Sequence, residues 1–152
     1  MNTSLKWLVL ASLTNLVGNS LGTVIALQHN LKANFGGFLN LNGQEVLRDF
    51  LTMNGTALSA PLTFLLIQLG LTILALLTSK TRRFGVGGLI FVGAFYTIAQ
   101  LGEPIVLRQL RPDGFDLAQA IVLLVNVTSS IAMLVLGIRA WRIMRAARPI
   151  AG

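Results

Sequence analysis

Apolar residues gather in four stretches, roughly 7–28, 61–79, 84–102 and 117–137. Each approaches the ~20 helical residues that cross a ~30 Å hydrocarbon layer. The pattern predicts an all-α chain: an integral membrane four-helix bundle forming a single domain over residues 1–152. The first stretch begins like a secretory leader, with Lys6 ahead of WLVLASL. Its apolar run continues past Asn15 to Leu27 without an A-x-A-like site, so we read it as a span.

Breaks in the pattern mark helix ends. Ser59 is placed to cap the second span, with Pro61 in its first turn where a missing N–H costs nothing. Asp116 and Gln119 form a D-x-x-Q capping arrangement before the fourth span, and Gly102 and Pro104 close the third. Between the first two spans, Asn42 and Glu45 resemble a capping box leading into QEVLRDFLTM. A short amphipathic helix over 42–53 follows, lying on the outer surface with Val46, Leu47, Phe50 and Leu51 on one face and Glu45, Arg48 and Asp49 turned away. Asn54-Gly55-Thr56 in the same segment matches the N-glycosylation triplet.

Polar residues within apolar spans are costly in hydrocarbon unless partnered, so they locate either helix contacts or a site. Asn15, Gly18, Asn19, Gly22, Thr23 and Ala26 recur at three- and four-residue spacing, giving the first span one small and polar stripe that faces protein. Gly18 and Gly22 form a small-xxx-small pair, suited to close approach of another span or of a second copy of the chain. Gln68 and Thr72, then Tyr96 and Thr97, then Asn126, Ser129 and Ser130 fall at similar depth in the other spans. The fourth span carries a stripe of Gln119, Asn126, Ser130 and Gly137, and Tyr96, Gln100 and Glu103 climb the third toward its end. A polar middle layer is expected. It serves either as hydrogen-bonding glue or as a pocket for a lipid or small apolar molecule, with Asn15, Asn19, Gln68, Tyr96, Gln100, Asn126 and Ser130 as ligand-binding candidates.

Charge gives the chain a direction. Lys6, Lys80, Arg82, Arg83, Arg139, Arg142, Arg145 and Arg148 fall on one side of the spans with no acid among them, whereas all five acids lie on the other side with Lys32, Arg48, Arg108 and Arg111. Basic residues near span ends favour the cytoplasmic face, so both termini and the 80–83 turn are expected there, in a plasma or inner membrane. The tail over 139–152 repeats arginine around Trp141, so the last helix should run past the bilayer with Arg139, Arg142, Arg145 and Arg148 at anionic headgroups. Membrane lipids, other membrane subunits or a second copy through Gly18 and Gly22 are the expected partners. Nucleic acid is not, because base-reading or stacking company for the basic residues is missing.

Composition narrows the chemistry. The absence of cysteine removes thiolate metal sites, dithiol redox and cysteine nucleophiles. No Asp, Glu, Lys, Arg or His lies at mid-span, where an ion-coupled transporter usually needs one. The small multidrug antiporters are similar in length and span number but depend on a carboxylate in the first span, where this chain has Asn15 and Asn19. DoxX-like proteins share the four-span layout without a matching run of motif residues. Ionisable groups collect instead at the outer end, where His29, Glu103 and Arg108 form a candidate cluster and His29 with Glu103 a candidate acid–base pair. No cofactor is expected. The reading is a non-catalytic accessory subunit or scaffold, with a lipid- or small-molecule-binding protein and a membrane oxidoreductase subunit as the alternatives.

Overall fold

The computed structural model describes residues 3–34, 43, 45–52 and 54–146. Asn42 of the expected capping box and Arg148 of the basic tail lie outside the described residues. In chain order the elements are α1 (Thr3–Gln28), α2 (Val46–Leu51), α3 (Leu62–Leu76), α4 (Ser79–Leu101), α5 (Pro104–Gln109), a 3-10 turn (Pro112–Gly114) and α6 (Leu117–Ala146). The described residues are therefore mostly helical, with turns and irregular links between the helices and isolated bridges joining Lys32 to Thr56 and Thr56 to Ser59. In α1, α4 and α6 the apolar helix is long enough to cross a membrane, while α3, at 15 residues, reaches only about 22 Å.

The reason for that shortness lies just before α3. Pro61 has no amide hydrogen and biases Ala60 away from helical geometry, and Gly55 turns the chain at φ 73°. Residues 56–60 consequently run as irregular backbone into the body of the protein, with Ala57, Leu58 and Ser59 buried. Ser59 does not cap α3, contrary to expectation. Its hydroxyl accepts from Thr23 Oγ1 at 2.9 Å and donates to the Ala60 carbonyl at 3.0 Å.

At the other end of α3 the link to α4 is only Leu77 and Thr78, so Lys80, Arg82 and Arg83 sit in the first turns of α4 and not in a loop. Thr78 is extended at ψ 165°, its carbonyl accepts from the Arg82 N–H at 2.8 Å, and the Arg82 guanidinium donates back to the Leu77 carbonyl at 2.8 Å. A two-residue link is possible because the paired helices nearly touch. A Cβ on Gly85 would lie 2.6 Å from the Leu71 carbonyl oxygen, and one on Gly88 would strike the Leu71 side chain.

The outer helix also departs from its sequence pattern. α2 spans six residues, buries Val46 and Asp49, and leaves Leu47 and Leu51 more than half exposed. Asp49 turns inward because its carboxylate holds the loop together, accepting from the Glu45 N–H at 3.1 Å and from Asn54 Nδ2 at 3.2 Å. That second bond occupies the amide of the glycosylation triplet, whose Thr56 is buried. α1 stops at Asn30, which takes the left-handed conformation (φ 52°) while the Leu31 N–H reaches back to the Ala26 carbonyl at 2.9 Å, a Schellman-type end with Asn where Gly is commoner.

Each of the four longer helices borders two others, in the cyclic order α1, α6, α4, α3. Glycines set the close approaches. Gly18 lies against Asn126 of α6, Gly22 against the Leu58 carbonyl, Gly93 against the Ser130 carbonyl and Leu134 amide, and Gly137 against Ile90. Gly18 and Gly22 thus serve contacts within the chain. The outside is apolar, and a polar layer is enclosed beside an apolar core of Leu5, Leu8, Leu71, Val86, Leu89 and Met133: Ile98 is 74% and Phe91 67% exposed, while Asn15, Asn19, Gln68 and Ser130 are fully buried. Lys6, the start of α4 and the end of α6 share one end of the molecule, tied by Arg83 Nη2 donating to the Met144 carbonyl at 3.4 Å. There Arg139, Arg142 and Arg145 are exposed, with the Arg145 guanidinium 5.5 Å from the Trp141 ring.

Candidate functional site

The polar stripe of α1 meets a different partner at each step. Ser12, one turn before Asn15, shares a 2.7 Å hydrogen bond with Thr72 and accepts from Gln68 Nε2 at 3.1 Å, joining α1 to α3. The Asn15 amide nitrogen is shared among the Asn126 carbonyl and the Ser129 and Ser130 hydroxyls at 2.9–3.1 Å, joining α1 to α6. Asn19 Oδ1 accepts from the Ala60 N–H at 2.9 Å, and Thr23 pairs with Ser59, so these two hold the inserted segment. Asn126 Nδ2 completes the ring by donating to the Leu58 carbonyl at 3.0 Å. This geometry is that of interhelical glue, each bond contributing about 0.6 kcal/mol and at most ~2. Irregular backbone at depth is tolerated where it is enclosed by protein, and the amides of α1 and α6 enclose residues 58–60.

Sequence reasoning missed Ser12 and the two main-chain partners at Leu58 and Ala60, and it gave Ser59 a capping role in place of its bond to Thr23. Ser12 extended the three- and four-residue spacing of Asn15, Asn19 and Thr23 and was legible. Main-chain partners leave no mark on side-chain periodicity. Gln109 was missed as well: its Oε1 accepts from the Asp116 N–H at 2.9 Å and its Nε2 donates to Gln119 Oε1 at 3.0 Å. It takes the half of the capping arrangement expected of Gln119, while Asp116 caps the Gln119 N–H at 2.9 Å as expected.

Of the ligand-binding candidates, Asn15, Asn19, Gln68 and Ser130 lie in the glue, with Gln68 Oε1 unpartnered. Tyr96, Gln100 and Asn126 line a small cavity of about 40 Å³ beneath residues 56–61, with Glu103 at its outer edge. Tyr96 and Gln100 lie one turn apart near the end of α4, Glu103 follows beyond it as the extended residue before α5, and Tyr96 Oη, Gln100 Oε1 and Glu103 Oε1 all lack hydrogen-bond partners among the described residues. Asn126 Oδ1 is also unpartnered, but it packs against Gly18. A space of that size, mostly apolar in its lining and edged by these oxygens, has room for a few water-sized groups.

Glu103 also lines an open outer vestibule of about 380 Å³ together with Lys32, Asn34 and Arg108. The expected outer cluster is therefore only partly assembled. Glu103 and Arg108 share the vestibule, whereas His29 is exposed beside it with Nδ1 3.1 Å from the Ile25 carbonyl. Glu103 is 5% exposed, and its Oε2 accepts from the Asn34 N–H at 3.2 Å. No group of three or more His, Cys, Asp or Glu side chains that would hold a metal ion occurs among the described residues.

No family model, curated protein or solved structure matches this chain.

Burial raises the Glu103 carboxyl from 4.5 to about 7, with the Asn34 N–H opposing the rise. The folded protein thus keeps a proton that the unfolded chain releases across this interval, and stability falls as pH climbs from 4.5 to about 7, then levels off. Glu103→Gln is expected to flatten that slope and to be the more stable protein at pH 8, by about 2 kcal/mol after a discount for solvent in the vestibule. Thermal unfolding of both proteins from pH 4 to 8 checks it. Parallel curves would refute it.

Proposed function

We propose that the chain is a four-span membrane bundle with both termini cytoplasmic, working as a non-catalytic accessory subunit or scaffold in a larger membrane assembly. The observation that carries this reading is the hydrogen-bonded polar layer: the α1 amides and hydroxyls are used to hold α3, α6 and residues 58–60. No mid-span group is left with the charge or nucleophilicity that catalysis or ion coupling requires. In this reading α3 and the inserted segment before it together make the fourth crossing, and the apolar outer faces of all four meet lipid or neighbouring subunits. The basic end, with Trp141 and Arg145 at the interface, fixes the orientation, each basic residue contributing about 1 kcal/mol at an anionic surface.

Native mass spectrometry of the protein released gently from its own membrane tests the proposal. Other polypeptides retained at fixed stoichiometry are the expected result. A lone chain or homo-oligomer carrying one defined lipid or small-molecule mass would overturn it in favour of a binding protein, and visible absorption from a bound redox group would favour the oxidoreductase alternative.

A further inference from the structure

The outer vestibule combines charges of both signs around one opening. Glu103 forms the wall shared by the vestibule and the inner cavity, almost wholly buried, with Oε1 free of any hydrogen bond among the described residues. Behind it lie two more unpartnered oxygens, Gln100 Oε1 and Tyr96 Oη. On the outer side Lys32 and Arg108 line the same opening, and neither is ion-paired with a carboxylate among the described residues. Arg108 starts from a held position, because its Cγ and carbonyl pack where Gly114 lacks a side chain.

A simple anion here would meet Lys32 and Arg108 favourably but would face Glu103. A simple cation would reverse the problem. A ligand with a positive donor at one end and a negative group at the other satisfies both. The unpartnered atoms at the inner end are acceptors and a hydroxyl, and the Glu103 carboxylate facing the opening suits the three N–H donors of a primary ammonium and leaves a quaternary ammonium without hydrogen bonds. The outer end supplies an ammonium and a guanidinium fork, which suit phosphate.

We propose that this vestibule binds a phosphoethanolamine group, its primary ammonium on Glu103 and its phosphate on Lys32 and Arg108. The volume of about 380 Å³ admits such a group with room for bridging water. A cation beside Glu103 also offsets the burial that raises its carboxyl toward neutrality. The opening lies beyond the α4 end, at the level of lipid headgroups in a spanning bundle, so the ligand has two sources: the headgroup of an ethanolamine phospholipid or the free phosphoester. This inference is independent of the subunit reading.

The test uses the full chain. In nanodiscs, native mass spectrometry compares retention of phosphatidylethanolamine, its N-trimethylated counterpart phosphatidylcholine, and phosphatidylglycerol. In detergent, thermal shifts compare free phosphoethanolamine, phosphocholine and inorganic phosphate. Wild type is expected to favour the primary ammonium by about tenfold in one of the two settings, the setting naming the source. Glu103→Gln should erase that preference, and Lys32→Ala with Arg108→Ala should weaken ethanolamine and choline forms alike. Equal binding of the two headgroups by wild type in both settings overturns the proposal without recourse to any variant. A preference that survives Glu103→Gln overturns it too.

Discussion

Gly85→Val is expected to unfold the α3–α4 pairing, lowering stability by about 3 kcal/mol, the upper part of the usual range for overpacking. The cause is backbone against backbone. A Cβ at this position would press on the Ala75 amide nitrogen and sit 2.6 Å from the Leu71 carbonyl and 2.9 Å from Ala75 Cα, atoms that cannot move without shifting α3. Glycine in a helix costs about 1 kcal/mol relative to alanine, so its use here trades propensity for interhelical distance. Gly70 provides the internal control. It lies in α3 with nothing within 4 Å of an added Cβ, so Gly70→Ala should be neutral or stabilising by up to ~1 kcal/mol. Unfolding both variants in mixed micelles by denaturing detergent separates the two cases. A Gly85→Val protein as stable as wild type would mean that α3 and α4 do not approach as described.

The contrast between those glycines shows what a sequence carries and what it withholds. Gly85, Gly88 and Gly70 look alike as interruptions of apolar runs, and only the neighbour's position tells that two are contacts and one is not. The α1 stripe was legible because it repeats at helical spacing: Asn15, Gly18, Asn19, Gly22, Thr23 and Ala26 are all buried. Its partners were not, because a small-residue pattern fits another span, an inserted loop or a second copy equally well. Tyr96, Gln100 and Glu103 could be placed on one face of a helix by counting. That their oxygens border a cavity depends on residues 56–61 folding over them, which no periodicity encodes.

Charge misled the reading at two points, for two different reasons. Lys80, Arg82 and Arg83 look like a solvated turn, yet a helix starting at the membrane surface can carry its basic residues in its first turns, with long stems reaching water. Asp49 looks like the polar face of α2. In a six-residue helix, however, backbone donors are too numerous for the helix to satisfy, and a carboxylate that accepts from Glu45 N–H outweighs the apolar face it displaces.

Asn19→Leu should destabilise the protein by about 3 kcal/mol, roughly twice the loss expected for Asn15→Leu, although both side chains are fully buried on one stripe of one helix. The difference lies in what each leaves behind. When Asn15 is removed, Ser129 and Ser130 keep their bonds to the Val125 and Asn126 carbonyls at 2.6 and 2.7 Å, so the loss is mainly that of the bonds themselves. Asn19 has no such substitute. Its Oδ1 accepts from the Ala60 N–H, and its Nδ2 donates to the Asn15 carbonyl at 2.9 Å and to Asn15 Oδ1 at 3.1 Å, so leucine strands a main-chain donor and an amide oxygen in the interior. An orphaned buried donor costs its full desolvation, about 1–3 kcal/mol, beyond the bond itself. Freed from Asn19, residues 58–60 lose one of their holds at a depth of nine residues, about 14 Å, below the end of α1. Proteolysis or hydrogen exchange confined to residues 54–61 should therefore rise in Asn19→Leu and not in Asn15→Leu. Equal losses in the two variants, with no local opening, would show that Asn19 is not what holds the inserted segment in place.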